Sequence, residues 1–282
     1  MIYLFGWIAN LFGYLLYWIY NVVNNYGIAI LIFTFLTKLI LLPFTIKQQK
    51  SLEKSKEMQP LLQEIQTKYK DDQQKLAEEY KNLMKNNNFN PYGGCLLSLI
   101  QIPIILGMLY VVGKPLTYMV KMPQEEIKQS IIEIMPEGYT EDDYDNYIKQ
   151  HRYSELKVVK AKNMLDLDFL GINLGDVAAE NTEDKKLLII PFLSALFAGI
   201  SIFMINANNK QPEKKPEDEE IPAPNMKVMN VSMVILSGWI AYIVPQGLGL
   251  YWFFSSFLQI FIQLGMKKFL KKDVKLIEGG IK

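Results

Sequence analysis

The 282-residue sequence holds one cysteine, Cys95, which excludes an internal disulfide and any thiolate metal cluster. It holds one histidine, His151, in a polar segment without a Cys/His/Asp grouping, which reads as a solvated loop residue rather than a ligand or a general base. Arg152 is the only arginine. A formal net charge of +1 excludes a nucleic-acid grip that works by charge excess. No charged residue precedes Lys38, so the start lacks the basic n-region of a cleaved signal peptide, and none is expected. No acidic residue falls inside any of the long apolar runs.

What is present is a mixture: 50% hydrophobic residues together with 21% charged ones, arranged as long apolar blocks separated by charged blocks. That pattern predicts an all-α, polytopic membrane protein with aqueous loops. Residues 1–25 are rich in Trp and Tyr, which favour the headgroup level, and read as an amphipathic helix lying in the interface, with a sixth span as the alternative that their length permits. Spans follow at 26–46, 93–113, 187–206, 227–244 and 248–266, the last two divided at "PQGLG". Each has about 20 residues, enough to cross roughly 30 Å of hydrocarbon, so five transmembrane helices are expected. Lysine clusters follow the first and fifth spans directly, which predicts an outside N-terminus and a cytoplasmic C-terminus.

Between the spans, residues 47–91 carry two helical apolar stripes, Met58-Leu61-Leu62-Ile65-Tyr69 and Leu76-Tyr80-Leu83-Met84, separated by "KDDQQ". They predict a cytoplasmic antiparallel helical hairpin, either a solvated connector or an arm that meets clients. Residues 207–226 are rich in Pro, Lys and Glu and read as a flexible cytoplasmic loop. Residues 114–186 form an acidic extracytoplasmic loop with no recognisable fold, in which "LDLDFLGINLG" reads as an apolar patch on the membrane surface. Residues 267–282 form a basic tail.

Lys38 interrupts "FLTKLILLPF", roughly 13 Å from the cytoplasmic cluster that begins at Lys47. A lysine stem of about 6 Å does not bridge that gap, and an ammonium in lipid costs at least about 2.5–3.5 kcal/mol. The charge therefore requires water or polar partners. Gln101 and Gln259 lie at matching depth, Ser255 and Ser256 sit one turn deeper, and Thr34 is one turn away on the same helix face. Gln263 is nearer the mouth, and Ser201, Ser232 and Ser237 can add hydroxyls. Polar groups from several helices at one level predict a wet cavity open to the cytoplasm, without a built-in anion, suited to an acidic or polar guest. The serines also fit ordinary helix–helix hydrogen bonding, and Tyr251 and Trp252 fit packing as well as a cavity wall.

Three stretches, "NNYGIAILIFTFLTKLILLPFTIKQQKS", "NPYGGCLLSLIQIPIILGMLYVV" and "PQGLGLYWFFSSFLQIFIQ", resemble the first, second and fifth core spans of the YidC/Oxa/Alb family of membrane protein insertases, in its Gram-positive YidC-like form. The resemblance implies insertion of nascent membrane proteins through a hydrophilic groove, with no enzyme activity, catalytic residue, cofactor or metal. Lys38 stands where that family carries an arginine, and Gln101 and Trp252 match its other groove positions. The implied partners are nascent membrane proteins, the ribosome through the basic tail, the Sec translocase, the signal recognition particle pathway and the lipid bilayer. The implied location is the bacterial cell membrane. Two other readings use the same residues. One is an intramembrane hydrolase pairing Ser255 or Ser256 with Lys38 as base, for which no oxyanion-hole motif is evident. The other is a small-solute transporter, for which paired broken helices in repeated halves are lacking.

Overall fold

The structure is a computed structural model that describes residues 2–87, 101–206 and 226–279. It is mostly helical: α1 (Ile2–Val23), α2 (Tyr26–Lys68), α3 (Gln73–Asn86), α4 (Gln101–Gly113), α5 (Gln124–Ile132), α6 (Tyr144–Gln150), α7 (Ser154–Ala161), α8 (Ile189–Asn206), α9 (Met226–Ile243) and α10 (Gln246–Gly279). Among the described residues, three stretches are long and apolar enough to cross a membrane, Tyr26–Ser51, Lys185–Met204 and Gln246–Gly265. Ile102–Gly113 and Asn230–Ile243 are shorter apolar helices. Residues 93–100 of the expected second span, with Cys95, and nearly all of the expected flexible loop 207–226 lie outside the described residues. The tail is helical as far as Gly279, and its side chains also lie outside them.

The fold follows from where apolar faces can be covered. α10 packs on α8 and α2, α9 on α8, and α1 on α4 and α2. Ala9, Leu16 and Ile19 of α1 are buried, and Phe12 meets Phe33 of α2 edge-on at 5.2 Å. The opposite stripe of α1, Trp7, Leu11, Tyr14, Trp18 and Val22, is exposed at i, i+4, i+7, i+11 and i+15.

The sequence reading ends the first span at Ile46, with a separate helix beyond. In the structure α2 continues for 43 residues, through Pro43 and Pro60. Each proline removes only its own N–H donor, and continuing the helix keeps the surrounding backbone groups paired within the segment. The helix ends where Tyr69 N–H returns to the Ile65 carbonyl, and Asp72 caps α3 by accepting from Lys75 N–H at 3.0 Å. Gln66 of α2 then donates to the Tyr80 hydroxyl of α3.

The segment between α4 and α8 folds into a cap layer whose buried residues, including Leu116, Met119, Ile131, Tyr147, Leu156 and Leu174, share one core with α1, α2, α4 and α10. A five-residue π-helix, Leu116–Val120, starts it. Buried Glu155 of α7 accepts from the Thr117 backbone N–H at 2.9 Å and from the Thr117 hydroxyl at 2.7 Å. Burial raises the Glu155 carboxyl above its usual range, although both Thr117 bonds act against that rise.

The "LDLDFLGINLG" stretch is not a surface patch. It forms a minimal antiparallel hairpin, β1 (Asp168–Phe169) with β2 (Ile172–Asn173), closed by Leu170 at φ 55° and Gly171 at φ 76°. Two positive φ values in succession match the two-residue turns that suit strand twist. Leu165, Leu167, Ile172 and Leu174 face the core, and only Leu170 at the tip is strongly exposed. The physical reason is that these side chains find cover in the shared core, while Phe169 packs against Gly27 at the start of α2.

Candidate functional site

α2 and α10 meet near their starts, where Gly247 lies against Tyr26 and Ile30, and flank a groove further along. At the closed end Asn25 caps α2, its Oδ1 accepting from Ile28 N–H at 3.0 Å. Its amide donates to Asp166 Oδ2 at 2.9 Å and to the Asp168 carbonyl at 2.8 Å. Tyr26 N–H reaches the Asp166 carbonyl at 2.9 Å, and Asp166 N–H reaches the Tyr20 hydroxyl at 2.8 Å. On the α10 side Gln246 N–H donates to the Asp176 carbonyl at 2.9 Å and Gly247 N–H to the Leu174 carbonyl at 2.8 Å. These bonds satisfy N–H groups that a helix start leaves without partners. The approach is close enough that a Cβ on Gly27 would lie 2.3 Å from the Phe169 ring.

Further along, the same two helices leave a groove of about 340 Å³ lined by Phe35, Leu39 and Leu42 of α2 and Leu258, Phe261 and Ile262 of α10, with Lys38 as its charged residue. The Lys38 ammonium donates to Gln259 Oε1 at 3.4 Å. That is beyond the usual range for such bonds, and an ammonium carries three donors. Among the described residues no carboxylate lies within ion-pair distance of Lys38. The arrangement is a cation in an apolar trough with spare donors, which can attract carboxylates and carbonyls.

The other expected site residues fall into three sets. Thr34 is fully buried, and its hydroxyl donates to the Ile30 carbonyl of its own helix at 2.7 Å. Ser255 is buried and Ser256 and Trp252 are half-buried on α10, on the turns between the closed end and Gln259. No described hydrogen bond joins Ser255 or Ser256 to Lys38, so a Ser–Lys pair is not assembled. The Gln101 backbone begins α4, and its side chain lies outside the described residues.

Several serines tie helices together. Ser194 Oγ donates to the Gly249 carbonyl and Ser237 Oγ to the Ser194 carbonyl, both at 3.4 Å, while Gln263 Nε2 donates to Ser201 Oγ at 3.2 Å. Two residues escaped the sequence reading. The Tyr26 hydroxyl and both amide atoms of Gln246 are fully buried beneath the cap layer without a hydrogen-bond partner among the described residues. The signal was available in principle, since Tyr26 opens α2 and Gln246 opens α10.

Comparison with known proteins adds to this geometry. A family model described as 60Kd inner membrane protein matches residues 18–273. The chain is 28% identical over 272 residues to the membrane protein insertase YidC of Caldanaerobacter subterraneus subsp. tengcongensis, an alignment covering 96% of this chain and 98% of that protein. It is 43% identical over 104 residues to the membrane protein insertase YidC of Nitratidesulfovibrio vulgaris, covering 37% of this chain and 20% of that longer protein. It is 46% identical over 89 residues to the protein of the same description in Oleidesulfovibrio alaskensis, covering 32% and 17%.

Proposed function

The chain belongs to the 60Kd inner membrane protein family, and from that premise we propose that it inserts nascent membrane proteins by receiving their hydrophilic segments at Lys38. It is a bacterial membrane protein insertase. The observation that carries the mechanism is the Lys38 ammonium, held by one long bond to Gln259 in a trough without a described counter-ion.

A hydrophilic client segment enters between α2 and α10, its carboxylates or carbonyls exchanging with Gln259 for the spare donors of Lys38. The groove shortens the apolar distance that this segment crosses. The adjoining apolar segment partitions into lipid past Phe35, Leu39 and Phe261, and its burial drives release. Gln101, Trp252, Thr34, Ser255 and Ser256 complete the polar side of this path. The reading uses five spans with the N-terminus outside and the C-terminus inside, so the cap layer faces outward and the α2–α3 hairpin inward. The exposed aromatic stripe of α1 suits the headgroup interface. The ribosome, the Sec translocase and the signal recognition particle pathway are the partners such a path would serve, the basic tail meeting the ribosome.

The test is photo-crosslinking of ribosome-bound nascent chains to probes at positions 38, 101 and 255, with position 239 on the exposed side of α9 as control. Adducts at the first three and none at Trp239 are the expected result. Equal labelling at all four positions would remove the groove from the mechanism.

A further inference from the structure

We propose that the cap layer carries a binding site for a zwitterionic phospholipid headgroup, one with a phosphate and a primary ammonium. The site is a cavity of about 460 Å³ between α7 and the turn at residues 175–181, distinct from the groove at Lys38. Its two walls have opposite sign. On one, Lys157 and Lys160 stand i,i+3 on a single face of α7; on the other, Asp176 and Glu180 stand on the facing turn.

Half of this charge is already matched. Lys160 and Asp176 pair at 2.5 Å and brace the two walls. The other half is not. Lys157 Nζ lies 3.2 Å from His151 Nδ1, a contact that burial and the lysine charge favour only with a neutral imidazole. Glu180 has no ion-pair partner among the described residues. An ammonium and a carboxylate thus face each other across a cavity without forming a pair. A guest with one charge would leave the other wall unmatched, whereas a dipolar guest satisfies both.

The directions follow. A phosphate takes the Lys157 wall, and a primary ammonium, with three donors, takes Glu180. A quaternary ammonium has no N–H to donate and fits less well. Leu156 and Val177 are buried against the cavity and give it an apolar floor.

Position identifies the source. Tyr153, on the cavity wall, is the side chain that Gly113 meets at the end of α4. Val177, on the other wall, bridges to Pro245 in the α9–α10 turn. The cavity therefore sits at the level where membrane-spanning helices end, which is the headgroup level of the adjoining leaflet. The inference does not use the insertion mechanism.

The test is backbone hydrogen exchange of the full chain in nanodiscs of matched acyl chains, made with phosphatidylethanolamine, phosphatidylcholine or phosphatidylglycerol. Where headgroup concentration is ten times the dissociation constant, amides of 154–161 and 175–181 should exchange about tenfold more slowly in phosphatidylethanolamine than in the other two. Lys157→Ala and Glu180→Gln should each abolish that difference while leaving exchange at α2 and α10 unchanged. Equal exchange in all three lipids would overturn the site. Equal protection by free glycerophosphoethanolamine in phosphatidylcholine nanodiscs would overturn the membrane source. Protection by an acidic peptide and not by phosphatidylethanolamine would assign the cavity to a protein segment instead.

Discussion

The two ends of the α2–α10 pair are made from the same helices and behave differently. At the closed end, bonds of 2.8–2.9 Å tie both helix starts to residues 166–176. At the other, one hydrogen bond of 3.4 Å among the described residues spans a groove. Helix starts carry N–H groups that need partners, so a loop folded over them is held by many short bonds. Mid-helix positions have no spare backbone groups, and only side chains can join them. The pair is therefore firm where it is shut and more compliant at the groove.

Breaking the firm end should have the largest effect. Gly27→Ala forces a Cβ into the Phe169 ring and should lower unfolding stability in detergent by about 2–3 kcal/mol. Asn25→Ala removes a helix cap and a charge-assisted bond and should cost about 2 kcal/mol in the same assay. Wild-type stability in either variant would show that the closed end is not held by these contacts.

The compliant end should respond in activity rather than stability. Lys38→Ala should slow insertion of clients with acidic extracytoplasmic tails about tenfold, the equivalent of one charged hydrogen bond. Lys38→Arg should keep the rate. Equal rates for the two variants would take the charge out of the mechanism.

At the closed end itself, the Tyr26 hydroxyl and the Gln246 amide, without a hydrogen-bond partner among the described residues, sharpen the contrast. Tyr26→Phe and Gln246→Leu should each stabilise the protein by about 1 kcal/mol, because an unsatisfied buried polar group is removed. A loss of stability would mean that these atoms are satisfied, for instance by water.

The smallest effect lies in the cap layer. Burial raises the folded-state pKa of Glu155 above the ordinary value of 4.5, so the native form holds the proton more tightly than the unfolded chain. Its contribution is present below about 4.5 and is lost as pH rises through the raised value. Glu155→Gln should therefore gain stability relative to wild type as pH increases across that window, read as a difference between melting temperatures. The opposite trend would mean that the Thr117 bonds outweigh burial.

Lys38 was legible in the sequence because a charge in an apolar run needs an explanation, and equal depth pointed to Gln259 before any contact was known. The break between the last two helices was legible from Pro245 and the glycines after it. The cap was not. Its partners lie about 140 positions away in sequence, as with Asn25 and Asp166, and alternating Leu and Asp suit a buried clasp as well as a surface patch. The continuity of α2 was obscured by its composition, which turns from apolar to charged at Lys47 although the backbone ladder does not change there. The apolar groove wall was legible only in part, because depth along a helix is readable from spacing while the facing of Phe261 and Ile262 towards Lys38 depends on tertiary packing.

The uninterrupted α2 also joins two environments through one backbone. With 43 residues it is about 64 Å long, and Lys38 lies about 18 Å from its clasped end. No loop separates the groove from the charged stretch beyond Lys47, so the apolar and aqueous parts of α2 share a single hydrogen-bond ladder, interrupted only where Pro43 and Pro60 lack an N–H.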